Sequence, residues 1–205
     1  MLALNPEPMA TPDPFLMIGF DDRERLSMEK MMGRLGALWG FLGITALLAW
    51  AVYRVYPFAM GATVEPWHWY ETVFFVFWMI FMLYGEGFKG FQKGFSPRVV
   101  ARAAHLANNP VWWHVLLAPL YCMGFIHATK KRRIVAMSVT SGIIVLIVAV
   151  HWLPQPWRGI VDMGVVAGLF YGVVAMWVYA IHALRGRSIN HPTDVPTPHD
   201  TPLAS

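Results

Sequence analysis

The sequence predicts an all-α, polytopic membrane bundle: four spanning helices plus one re-entrant or in-plane broken hairpin, with five spanning helices as the alternative. Composition is the first observation. Of 205 residues, 57% are hydrophobic and only 14% are charged, against about 25% charged in ordinary soluble domains. The second is that uncharged runs of about twenty residues recur, the length a helix needs to cross a ~30 Å hydrocarbon core. The third is that the basic residues gather between those runs. A soluble enzyme, a disordered chain and a disulfide scaffold are excluded, the last because Cys122 is the single cysteine. The formal net charge of +4 is too small and too dispersed for a nucleic-acid binder, so no nucleic acid is expected as a partner.

Taken in order, residues 1–20 are proline-rich and read as a flexible segment. Residues 21–34 mix both charge signs with Leu26, Met28, Met31 and Met32, and read as an amphipathic surface helix. No charge falls between Arg34 and Arg54, which makes Leu35–Tyr53 the first span, expected to act as its own insertion signal. A second span runs from about Trp67 to Gly85, interrupted by His68 and Glu71 near its start. Val111–Thr129 is also uncharged, but Pro119 lies at its middle. Ile134–Leu153 and Met163–Leu184 are clean spans, and together these segments place the bundle within 35–184. The polar, proline-containing tail at 185–205 reads as disordered.

Basic clusters orient the spans. They lie at Arg23–Arg34, at Lys89–Arg102, at Lys130–Arg133 and at Arg185–Arg187. Five crossings would put the second and third clusters on opposite sides. If Val111–Thr129 enters and leaves on one side, every cluster lies inside. The expectation is therefore a bacterial-type inner (plasma) membrane protein with both termini cytoplasmic. Proline has no amide donor and disrupts the preceding turn, which suits a hairpin tip at Ala118-Pro119. Kinked spanning helices also tolerate proline, so the five-span alternative stays open.

Two stripes of small residues stand out: Gly36, Gly40 and Gly43 in the first span, and Gly164, Gly168 and Gly172 in the last. Small residues on one face let membrane helices approach closely, either within the bundle or against a partner. Between the second span and the hairpin, a cytoplasmic amphipathic segment at 86–109 opens with Gly-Phe-Lys-Gly-Phe-Gln-Lys-Gly-Phe. Ser96 reads as a helix N-cap with Pro97 at the first helical position. The following helix places Arg98, Arg102 and His105 on one face, a cationic stripe suited to the headgroup layer. Glu86, Lys89, Lys93, Arg98 and Arg102 are therefore the candidate residues for binding an anionic lipid or another anion.

The histidines form a second constellation. His68 and His151 fall near the outer face, and His105, His114, His127 and His182 near the inner one. Opposed histidines are what a b-type haem needs, and His68, Glu71, His151 and Asp162 also suit a metal or proton site. Each of these histidines lies near a helix end, where interfacial histidine is common, and Trp67, Trp69, Trp152 and Trp157 flank the outer pair as an aromatic belt. No cofactor is expected, with haem b as the one candidate. The methionines are spread through the apolar runs and read as core filling. The leading functional expectation is a non-catalytic subunit or assembly scaffold of a membrane complex, with membrane lipids and other membrane chains, or a second copy, as partners. A haem b electron-transfer protein and an enzyme or carrier acting on a lipid headgroup are the alternatives.

Overall fold

The computed structural model describes residues 14–64, 66–187 and 191–195, with side chains described from residue 23 onward. The flexible segment expected at 1–20 therefore lies largely outside the described residues. Every regular element described is helical. Helix α1 covers Pro14–Gly61, α2 covers Trp69–Met82, and a π-helical segment covers Leu83–Phe95. Then follow α3 (Ser96–Asn108), α4 (Trp112–Leu116), α5 (Ala118–Met123), α6 (Lys130–His151) and α7 (Trp157–Leu184). Four stretches are long and apolar enough to cross a membrane: Arg23–Gly61, Trp69–Asn108, Lys130–His151 and Trp157–Leu184.

Two boundaries differ from those expected. No break separates the amphipathic stretch 21–34 from the first span; both belong to α1. Residues 23–30 are exposed on every side, so this part of α1 extends the helix past its packed length. Ser96 is not an N-cap either, because Phe95 and Ser96 are both helical and the chain passes from π to α geometry without interruption. The amide of Ser96 donates to the carbonyl of Phe91, five residues back. A Cβ at Gly90 or Gly94 would lie 3.4 Å from the carbonyl of Gly85 or Lys89, an ordinary contact with the residue five positions back. Pro97 then lacks the amide that would restore the regular ladder behind it.

The glycine stripes are close-approach surfaces within the chain. On α7, a Cβ at Gly164 would meet the Trp78 ring and Met82, one at Gly168 would lie 3.3 Å from the Glu86 Cβ, and one at Gly172 would enter the Phe91 ring. On α1, Gly36 faces Val115, Gly40 faces Ala118 and Cys122, and Gly43 faces Pro119. Those contacts trace the path of α4 and α5. The chain advances from Gly36 to Gly43, about 10 Å at the rise of an α-helix. It then steps back, since Cys122 returns to the level of Gly40. Leu117 leaves helical geometry between the two short helices (φ −100°, ψ 29°). Gly124 closes α5 in the left-handed region at φ 89°, a conformation that a side chain disfavours.

The two ends of the bundle are distinct. At one, Gly33 packs on Ala107 and the junction of α3, the α5–α6 loop and residues 191–195 gathers. At the other, Gly159 packs on Ala62, Gln155 donates to the Phe58 carbonyl and Arg158 lies over the Phe58 ring. A core of Phe41, Ile44, Leu48, Val99, Leu106, Tyr121, Cys122 and Met176 joins α1, α3, α5 and α7. Helix α6 stands apart from it. Its principal neighbour is α7, that contact is sparse, and only Ala136 and Val150 are buried.

Gly33→Ala drives a methyl into the backbone of Ala107, whereas Gly142 on α6 has open space around it. Overpacking of this kind costs about 1–3 kcal/mol, while alanine gains up to about 1 kcal/mol of helix propensity over glycine. Unfolding in mixed micelles should therefore show Gly33→Ala destabilised and Gly142→Ala unchanged or stabilised. Equal effects at the two positions would contradict the close packing of α1 on α3.

Candidate functional site: a buried arginine junction

The sequence places Arg102 on an exposed cationic stripe; the structure buries it completely. Helix α3 turns Val99, Val100, Ala103 and Leu106 into the core, and Arg102 comes inward on the flank of that face. A charge taken out of water is costly unless every donor finds a partner. Here the guanidinium finds four carbonyls. Its Nε donates to Tyr121 O at 2.7 Å, Nη1 to Thr193 O at 2.8 Å, and Nη2 to Ile126 O and His127 O at 2.7 and 3.1 Å. The same group lies 4.3 Å from the centre of the Tyr121 ring, a favourable stacking position. One side chain thus joins α3 to the end of α5, to the following loop and to the segment after α7.

Residues around this tie form a second layer. His105 Nδ1 lies 3.0 Å from the Tyr121 hydroxyl. The His114 ring centre is 4.8 Å from both Tyr121 and His127. His127 is exposed and adopts φ 48°, as the loop turns back around the arginine. His114, outside the four candidate spans, is held below the ordinary imidazole value, first by burial and then by His127, Arg102 and His105. Within the tail expected to be disordered, residues 191–195 are tied in. Asp194 O accepts from Thr129 N at 3.0 Å, and Asp194 Oδ2 lies 3.3 Å from Arg98 Nε. Thr129 caps α6, its hydroxyl accepting from the Arg132 amide at 3.4 Å.

The five candidate anion-binding residues do not form one site. Glu86, Lys89 and Lys93 are exposed on the π-helical segment. The Lys89 ammonium lies 5.0 Å from the Tyr84 ring centre, and that of Lys93 lies 4.6 Å from Phe88, so each rests on an aromatic one turn back. Arg98 and Arg102 instead point into the junction. The histidine candidates are also spread. His68 opens α2, where its amide donates to Glu71 Oε2 at 2.7 Å and its ring nitrogen lies 3.3 Å from the same oxygen. Glu71 is buried in that capping role. His151 is exposed at the end of α6, and His182 is half-buried in the last turn of α7. Among the described residues, no group of three or more histidine, cysteine, aspartate or glutamate side chains is arranged to hold a metal ion.

Tyr121, Thr193 and Asp194 escaped sequence reasoning. Tyr121 sits in an uncharged run, Thr193 contributes only its carbonyl, and Asp194 lies in a polar tail. The one available signal was the return implied by Pro119, which brings the residues after it back toward α3. No known protein family, curated protein or solved structure matches the chain.

Arg102→Ala leaves four carbonyls without their donor, that of Tyr121 in a buried bond and the others part-buried; a buried unsatisfied group costs about 1–3 kcal/mol, and the packing of the arginine side chain is lost as well. The expected loss is at least about 3 kcal/mol in a micelle unfolding titration, with Arg102→Lys recovering part of it because an ammonium lacks the planar fork. A change within about 0.5 kcal/mol would show that the tie contributes nothing, since that is the range of ordinary surface substitutions.

Proposed function

We propose that the chain is a non-catalytic subunit or assembly scaffold of an inner-membrane complex, with a cationic cytoplasmic end set against anionic lipid. The observation that carries this reading is α6. Both glycine stripes are used up inside the chain, whereas α6 leaves Ile134, Met137, Val139, Ile143, Ile144, Val145 and Ile147 exposed along its length. A helix tethered at both ends and hardly packed on its own chain is available to a neighbouring membrane chain.

In this reading the chain crosses four times. Helix α1 leaves the junction end, the α2–α3 rod returns to it, α6 leaves again and α7 returns. The α4–α5 segment enters beside α1 and exits on the side it came from. The contacts of Val115, Pro119 and Cys122 along α1 favour this path. So do the bonds that gather α3, the start of α6 and residues 193–194 at one end. Arg98, Arg102, Lys130–Arg133 and Arg185 then lie on the cytoplasmic side with both termini, as positive-inside orientation requires. Lys89 and Lys93, each carried on an aromatic ring, present a flexible cationic edge to the headgroup layer.

Photo-crosslinking groups at Ile144 and Ile147 in the native membrane should capture a defined protein chain in high yield. Joint replacement of Lys89, Lys93, Lys130 and Lys131 by glutamine should lower the retention of phosphatidylglycerol over phosphatidylcholine several-fold by native mass spectrometry. Lipid adducts alone at α6, with no protein adduct, would contradict the subunit reading.

A further inference from the structure

The arginine junction has more positive charge than its partners offset. Arg98, Arg102 and Arg132 act on one another, and Asp194 is the carboxylate among the described residues that acts on Arg102 and Arg132 together. Lys130, Lys131, Arg132 and Arg133 occupy the first turn of α6, the positive end of the helix dipole, where cations are disfavoured and anions stabilised. Hydrogen bonding is incomplete as well. The Nε groups of Arg98 and Arg132 are buried and donate to nothing among the described residues, Arg98 Nε being near Asp194 Oδ2 but misaligned for a bond.

The segment that supplies Asp194 is lightly held. No residue of 191–195 is buried. Thr193 and Asp194 are attached by two backbone carbonyls and one ion pair. Asp194 itself sits at φ 51°, a left-handed conformation that non-glycine residues adopt at a cost. If this segment lifts away, Thr129 N–H and Arg102 Nη1–H lose their acceptors and Arg98 loses its ion-pair partner, in one place and beside the α6 N-terminus. That set of donors matches a phosphate group, which offers several acceptor oxygens and at least one full negative charge.

We propose that this junction is a phosphate site, and that the Asp194 segment is its built-in occupant, displaced when a phosphate-bearing ligand binds. The inference rests on the lipid-contacting reading above and narrows it to one site. A phospholipid headgroup and free phosphate share the recognising chemistry. In either case the consequence is a switch: an occupied site releases residues 193–194 from Arg98, Arg102 and Thr129.

The test uses the full-length chain in nanodiscs of phosphatidylcholine. Asp194→Asn keeps the backbone carbonyl and removes the competing charge, and a chain ending at Arg187 removes the segment altogether. Binding is read with inorganic phosphate in solution and, separately, with phosphatidylglycerol added to the bilayer. Both variants should bind at least three-fold more tightly than the wild type, and adding Arg98→Gln to Asp194→Asn should abolish the gain. A gain with phosphatidylglycerol alone assigns the site to a lipid headgroup, and one with inorganic phosphate assigns it to a soluble ligand. Equal phosphatidylglycerol binding by all three chains overturns the built-in occupant while leaving the lipid-contacting reading in place. No binding by any of them overturns both. Should Asp194→Asn fail to fold, the shortened chain decides.

Discussion

A guanidinium shut away from water must be given a full set of acceptors, and in this protein that requirement organises one end of the molecule. Arg102 takes carbonyls from the end of α5, the loop before α6 and the segment after α7. None of those acceptors belongs to its own helix, so the bonds form only when four parts of the chain arrive together. The loop that carries the Ile126 and His127 carbonyls to the arginine has positive φ at two positions, Gly124 and His127. Tyr121 serves twice, through its carbonyl and through its ring face. The arginine therefore pins the end of α5 and the loop after it against α3, a use for which its planar fork is better suited than lysine.

The second constraint is distance of approach. Helix α1 can receive two short helices only because Gly36, Gly40 and Gly43 give up their side chains along the line where Val115, Ala118, Pro119 and Cys122 lie. Helix α7 does the same for the α2 rod, where Trp78, Met82 and Phe91 occupy the room left by Gly164 and Gly172. Indole Nε1 of Trp78 then reaches the Val161 carbonyl at 3.1 Å, a bond that fixes the rotation of one helix on the other. With these faces satisfied internally, α6 is left as the long helix least packed on its own chain, with only Ala136 and Val150 buried.

Hydrophobic run length and charge placement made the long helices legible, because both are local properties of the sequence. The glycine stripes were legible as close-approach faces for the same reason, but their neighbours were not: nothing in the spacing of Gly40 says that Cys122 will meet it. The helix over 96–108 shows where periodicity misleads. Its basic positions fall on a stripe that looks solvated, and Arg102 is nonetheless buried because distant carbonyls, invisible to any local pattern, satisfy it. Ser96 carried every mark of an N-cap, yet a π-helix runs straight into it. Asp194 could not be found at all, since its role depends on the fold bringing residue 194 back to residues 98 and 129.

The proposed four-crossing path requires the α4–α5 segment to leave the membrane on the side where it entered, with Arg102 holding its return. Thiol accessibility tests this most directly, using Asn109→Cys and Lys131→Cys in sealed native vesicles of known orientation, with buried Cys122 as the only other thiol. On the four-crossing path a membrane-impermeant reagent labels both positions from the cytoplasmic face and neither from the other. Labelling of the two positions from opposite faces would mean five crossings, and would contradict it.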